Sequence, residues 1–310
     1  MKESKLRKLY NNVVSQTISS SGKYLFAGNV FSDIFVFEEP QKHPNIYPQH
    51  SGVISCLEFH NDFLIVGAKG SIYGLKFDEL KNHLSKDKSW EVSLAEVKNV
   101  NCFWLDKAIN HIFVGCDNNI IYQVSLEDGR VLRKFEGHKD FVHCLTGSDD
   151  QIYSASQDGT LKIWDPRENL HVNEIEPNKK DELKRPELGG FLGACAISND
   201  WLICGGGPKL SLWHTKTLDF SQIDFAFPGK IHCASFIDDN IVVGGVNSSV
   251  QIYSINGSLK YDIPIENSPA TYSIVFQSDP YKFMSLTGYS NKLNILSDFK
   301  YVDIVLDFYK

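Results

Sequence analysis

The sequence predicts an all-β chain folded as a single seven-bladed β-propeller. Three observations carry this expectation. Short alternating apolar runs are separated by turn residues, as strands in a meander are. A small residue or pair recurs at the end of an apolar run, followed about eight residues later by a bulky apolar residue. The motif appears seven times at a nearly constant period.

The bulky anchors are Phe37, Leu75, Val124, Trp164, Trp213, Tyr253 and Leu296, at successive spacings of 38, 49, 40, 49, 40 and 43. The small positions ahead of them are Ala27-Gly28, Gly67-Ala68, Gly115-Cys116, Ala155-Ser156, Gly205-Gly206, Gly244-Gly245 and Thr287-Gly288. Each repeat reads as one blade of about 40–45 residues, so the whole chain is one domain although its length alone would suit two. Small side chains belong where neighbouring sheets approach face to face. The apolar runs around them, such as LIVG and IVVG, supply the core between blades.

Two spacings of 49 require insertions. The first, 78–89 (DELKNHLSKDKS), holds good helix formers and neither Gly nor Pro, and predicts a short helix. The second, 176–188 (EPNKKDELKRPEL), is charged with two prolines and predicts an exposed loop. Both are additions the fold does not need, and are candidate partner surfaces. Residues 1–9 read as a solvated N-terminal tail carrying Lys2, Lys5, Arg7 and Lys8; 10–310 form the propeller, with a last strand expected over 301–308.

The totals exclude several function classes. Net charge is −7 and pI about 5.8, which disfavours direct RNA binding. Seven cysteines occur without a Cys-x-x-Cys pair, so free buried thiols are expected rather than a metal site. The N-terminus has no secretory apolar stretch, and no run is long enough to span a membrane. Neither a phosphate loop nor a nucleophile elbow is present; Gly205-Gly206-Gly207-Pro208 lacks the Gly-Lys-Ser/Thr ending and reads as a structural turn. No catalytic residue, metal ligand or cofactor site is expected.

The clearest repeat runs from Gly137-His138 to Trp164-Asp165, with Asp149-Asp150 and Asp158-Gly159 at its turns. It resembles the WD-repeat family, in which a His, a Ser/Thr, an Asp and a Trp form a hydrogen-bonded tetrad. The matching residues are His138, Ser154, Asp158 and Trp164. A chained network would satisfy buried indole, imidazole and carboxylate groups together. His50, after Gln49, reads as a worn Gly-His dipeptide.

Three longer stretches look like the family of sixth subunits of the THO complex: NNVVSQTISSSGKYLFAGN (11–29), GHKDFVHCL, and RPELGGFLGACAISNDWLICGGGPKLSLWHTKT (185–217). That resemblance implies a non-catalytic scaffold in a nuclear transcription–export assembly that serves messenger RNA processing and export. Its implied partners are other THO subunits, foremost the coiled-coil subunits 5 and 7. An alternative resemblance is to the box by which WD proteins join cullin-4 ubiquitin ligases: Ser154, Ala155, Ser156, Asp158, Ile163, Trp164, Asp165 and Arg167. There Asp165 and Arg167 would meet the ligase adaptor, unless Arg167 is a solvated turn residue or pairs locally with Asp165.

Overall fold

A computed structural model describes residues 2–38, 43–49, 52–148, 150–168, 170–266, 268–278 and 281–309, with side chains from Leu6 onward. His50 and Asp149 lie outside the described residues. The chain forms seven antiparallel sheets, each a meander of strands in sequence order, in a seven-bladed β-propeller. Blade one comprises Val13–Ile18, Tyr24–Asn29, Asp33–Glu38 and Asn45–Pro48; blade two Cys56–His60, Phe63–Ala68, Ser71–Asp78 and His83–Ser93. Blade three holds Val100–Asp106, His111–Cys116, Ile121–Ser125 and Val131–Phe135; blade four Val142–Gly147, Ile152–Ser156, Leu161–Trp164 and His171–Ile175. Blade five has Leu192–Ser198, Trp201–Gly206 and Ser211–His214; blade six Ile231–Ile237, Asn240–Gly245, Ser249–Ser254 and Leu259–Pro264; blade seven Thr271–Gln277, Phe283–Gly288, Lys292–Leu296 and Ile304–Asp307. Blades one, two and seven make one compact unit, blades three to six another.

All seven anchors are buried at or near the end of a third strand, and all seven small positions are buried at the end of a second strand. Their smallness has a measurable reason. A β-carbon on Gly115 would stand 2.5 Å from Cys102 Sγ and 2.8 Å from Val142 Cγ1, and one on Gly205 would stand 2.8 Å from Ile231 Cδ1. Gly28 meets Ile54 in the same way. Cys102 lies on the first strand of the same sheet as Gly115, whereas Val142, Ile231 and Ile54 belong to the next sheet or the segment leading into it, so the glycines set how closely sheets approach.

A second periodic feature is invisible in the sequence. In blades one, four, five, six and seven the first strand bulges opposite the small pair, at Val14, His143, Gly193, His232 and Tyr272. The extra residue leaves the ladder and is re-aimed out of the pairing alternation.

Blade five departs from the four-stranded plan. Its fourth place is taken by irregular chain: Phe220 bridges Trp213, the Ser221 amide donates to Leu212 O at 3.0 Å, and the His214 amide donates to Asp219 O at 3.0 Å. The third strand's edge is thereby covered.

Three expectations require correction. Residues 78–89 are not a helix beyond the single 3₁₀ turn Glu79–Lys81; from His83 they run as the fourth strand of blade two. Asp78 accepts the Lys81 amide at 3.2 Å, and Asn82, at φ 47°, turns the chain back. Leu84 is then buried opposite Phe77 in the ladder, and pairing overrides helix propensity. Residues 176–188 contain three 3₁₀ turns, Pro177–Lys179, Asp181–Leu183 and Pro186–Leu188, and are held down by buried Pro177, Leu183 and Arg185 rather than exposed throughout. Finally, where residues 1–9 read as a solvated tail, Lys2–Tyr10 is an α-helix.

That helix is anchored. Arg7 donates to the fully buried Asp33 carboxylate, which also accepts the Tyr309 hydroxyl from the other end of the chain. Asn29 Nδ2 donates to Asn11 Oδ1 and to Tyr309 Oη, both at 2.8 Å. Burial and the adjacent Asp33 carboxylate push the Tyr309 hydroxyl far above its usual pKa, so it remains a donor. Phe35 packs on Phe308 and Tyr309 at centroid distances of 4.8 and 5.2 Å. Blades one and seven thus meet through side chains, each sheet being built only from its own end of the chain. Arg7→Ala is expected to lower stability by about 1–3 kcal/mol by leaving Asp33 short of its cation. Thermal unfolding checks this; an unchanged melting curve would mean that the helix does not hold blade one.

Candidate interaction site on blades four and five

His138, Ser154, Asp158 and Trp164 come together in blade four. Trp164 Nε1 donates to Ser154 Oγ at 2.8 Å, Ser154 Oγ lies 2.6 Å from His138 Nε2, and His138 Nδ1 lies 2.9 Å from Asp158 Oδ2. The donors run one way if Ser154 gives its proton to Nε2 and the imidazole carries its own on Nδ1; a neutral histidine then fills every role. Asp158 is finished off by the Lys139 amide on Oδ2 at 2.8 Å and by the Thr160 amide and hydroxyl on Oδ1 at 2.9 and 2.7 Å. Gly137 makes room for the network: a β-carbon there would sit 3.2 Å from the Trp164 ring. Ser154 and Trp164 are fully buried, and the bonded chain fixes the strands of the blade against one another.

Blade five carries an altered version. Cys204 stands in the register position of Ser154, and Ser211, across the ladder, stands where blade four has Lys162. The serine has changed strands, and it still receives the indole: Trp213 Nε1 donates to Ser211 Oγ at 2.8 Å, and Ser211 Oγ donates to Cys204 O at 3.1 Å. His214, which follows Trp213, takes no part in this bonding and contacts Trp201 edge-on at 5.6 Å.

Asp165 and Arg167 lie at the turn after the third strand of blade four. Arg167 grips Asp165 with two bonds, Nε to Oδ1 at 2.8 Å and Nη2 to Oδ2 at 2.6 Å, while its side chain is 77% exposed. This pairing holds the Asp165 carboxyl down to about 2. Both features named at the sequence level, local pairing and exposure, are present together.

The residue missed from sequence is Arg185. Its guanidinium is buried and donates only to backbone carbonyls: Nε to Gly207 O at 2.8 Å, Nη1 to Phe227 O at 2.7 Å, and Nη2 to Pro208 O at 2.9 Å and Gly206 O at 3.2 Å. Burial lowers its pKa from the free value, against a smaller opposing pull from Glu187. The planar five-donor fork suits a rim of carbonyls, and arginine is the cation least costly to desolvate. The glycine run therefore turns oxygens, not amides, toward its occupant, the opposite of a phosphate loop. The Arg-Pro opening and the Cys-Gly-Gly-Gly-Pro turn, about twenty residues apart in one quoted stretch, are two halves of a single bonded unit.

Among the described residues no cluster of His, Cys, Asp or Glu is arranged to hold a metal ion. All seven cysteines are free thiols; Cys144 and Cys233 are half-buried and the others buried. Among the described residues no helix is long and apolar enough to cross a membrane.

Two measurements follow from this geometry. Burial alone would raise the Asp158 pKa, but the hydrogen bonds from His138, the Lys139 amide and Thr160 outweigh it and hold the carboxyl well below the usual range. The folded chain thus binds fewer protons here than the unfolded chain, and stability rises with pH across that interval. The Asp158 contribution is complete above about pH 4, the free carboxylate range, and is lost as pH falls through the lower folded value. In urea titrations the gap between wild type and Asp158→Asn should be constant at neutral pH and shrink below about pH 4; a gap indifferent to pH would contradict the network. Arg185→Ala should cost about 3 kcal/mol or more by stranding buried carbonyls, with Arg185→Lys recovering only part; full recovery by lysine would show that charge, not the planar fork, matters.

The family profile "WD domain, G-beta repeat" matches residues 129–165, the stretch that carries the tetrad. Among solved structures the chain is similar to the WD40 β-propeller domain of Doa1, with a TM-score of 0.74, 14% identity and 92% of each chain covered. It is also similar to the computationally designed Ika8 protein, with a TM-score of 0.67, 16% identity, and 96% of this chain and 87% of that one covered. At such identities these likenesses show the fold alone. In sequence the chain is 45% identical to THO complex subunit 6 of Drosophila melanogaster, over 100% of this chain and 93% of that protein. It is 30% identical to the Danio rerio homologue, covering 97% and 98%, and 27% identical to the Homo sapiens protein, covering 98% and 94%. On that full-length identity, the chain belongs to the THO complex subunit 6 family.

Proposed function

We propose that this protein is a non-catalytic scaffold subunit of a THO complex in the nucleus, which supports messenger RNA processing and export by holding other THO subunits, foremost the coiled-coil subunits 5 and 7. The observation that carries the reading is the 45% identity to a named THO subunit over the entire chain. The site chemistry is consistent with it. The polar network of blade four is spent on internal bonding, which suits a rigid platform better than an enzyme. A net charge of −7 favours protein partners over direct contact with RNA.

The exposure of Arg167 favours a second reading, substrate receptor of a cullin-4 ligase through Asp165 and Arg167. Against it, the guanidinium is already gripped by Asp165 and would have to exchange that partner for the adaptor.

Affinity purification of the full chain from nuclear extract at mild salt, with mass spectrometry of the eluate, separates the two. The scaffold reading expects the other THO subunits in near-equal amounts, undiminished by Arg167→Ala, with no change in melting temperature for that exposed residue. Recovery of cullin-4 and its adaptor without THO subunits, abolished by Arg167→Ala, would replace it.

A further inference from the structure

The first strands of blades four and five each bring a cysteine to the face they share. Val142–Gly147 carries Cys144, and Leu192–Ser198 carries Cys195, 51 residues further along the chain. Cys195 is part of the buried cluster that also holds Tyr153, Ala155 and Cys204, and Cys144 packs against that cluster. The two side chains cross. Cys144 Sγ donates to Cys195 O in blade five at 3.4 Å, and Cys195 Sγ donates to Tyr153 O in blade four at 3.9 Å. Each sulfur thus reaches over to the other's sheet, and the two thiols are hydrogen-bonded to one another.

The two sulfurs are not equivalent. Cys195 is buried, whereas Cys144 is half-buried. The bond from the Cys195 thiol, helped by the Cys195 and Leu145 backbones, outweighs burial and draws the Cys144 thiol below its usual pKa. The same bond, with burial, raises Cys195. Elsewhere burial acts alone or nearly so: it lifts Cys204 to about 12, and Cys116 and Cys233 higher still. The thiolate is the form of cysteine that reacts with oxidants. The sulfur that gives up its proton more readily therefore stands beside a second thiol, the arrangement in which an oxidised cysteine is resolved by its neighbour.

We propose that Cys144 and Cys195 are a peroxide-sensitive pair that closes into a disulfide between blades four and five. Hydrogen peroxide is the oxidant. The Cys144 thiolate attacks one peroxide oxygen and the O–O bond breaks. The other oxygen leaves as hydroxide and takes up the proton the thiol has lost, giving water and a sulfenic acid on Cys144. The Cys195 sulfur then attacks the sulfenic sulfur. The S–S bond forms, the S–O bond breaks, and the hydroxyl leaves with the Cys195 proton as a second water. Two thiols and one peroxide become one disulfide and two waters, and a dithiol reductant reopens the pair by exchange. The bond ties together the two blades that the insertion 176–188 connects.

The test treats the reduced full chain with excess hydrogen peroxide, quenches with catalase, alkylates the remaining thiols in denaturant, and maps the peptides by mass spectrometry. The wild type should lose two hydrogen atoms per chain and yield a peptide linking Cys144 to Cys195, with the other five cysteines alkylated. Dithiothreitol before alkylation should abolish the link. Cys195→Ala should halt the reaction one step earlier, with Cys144 captured by dimedone as the sulfenic acid. Cys144→Ala should leave Cys195 alkylated after the same treatment. The wild-type map needs neither variant, so it decides the matter even if a variant folds poorly. Linkage of Cys144 to another cysteine, conversion of Cys144 to an unlinked sulfinic acid, or full alkylation of both cysteines after peroxide would overturn the proposal.

Discussion

The close approach of neighbouring sheets is the constraint on which the rest of this structure depends. A propeller blade is apolar on both faces, and each face is buried only if the next sheet comes near enough to exclude water. The glycines and alanines that end the second strands permit that approach, and the bulky anchors of the third strands fill the space beside them. Where the backbone comes close, the first strand bulges, and the bulge residue is re-aimed.

Polar bonding in this chain secures the places where the sheet pattern is interrupted. The tetrad ties the entry to blade four against its second and third strands. Arg185 ties an insertion to the turn of blade five. The Arg7–Asp33–Tyr309 cluster ties the N-terminal helix and the C-terminal segment to blade one, where no strand is shared between the first and last sheets. In each case buried polar groups bond residues that are not neighbours in sequence, which converts a desolvation cost into positional specificity.

Much of this was legible in the sequence because the repeat is written in local chemistry. The small pair, the anchor eight residues on and the turn residues between them are set by adjacent residues, and they locate every second and third strand. The His138–Ser154–Asp158–Trp164 set was legible because one blade keeps all four letters. The insertion 78–89 was misread because its residues favour helix, whereas a buried Leu84 and pairing with the preceding strand decide its form. The N-terminal helix was missed because its anchor, Asp33, lies on a third strand and its partner Tyr309 at the far end of the chain. The role of Arg185 is not legible in the motif that contains it, since backbone carbonyl groups leave no trace in side-chain letters. The bulges were hidden for a related reason: one extra residue in a strand alters no composition.

The most direct test of the central claim is thermal unfolding of Gly115→Ala. Its added methyl would fall 2.5 Å from Cys102 Sγ and 2.8 Å from Val142 Cγ1, so the account predicts a loss of about 1–3 kcal/mol, the cost of overpacking a core. A melting temperature equal to or above that of the wild type would mean that the sheets have room to spare, and that close approach is not what these small residues provide.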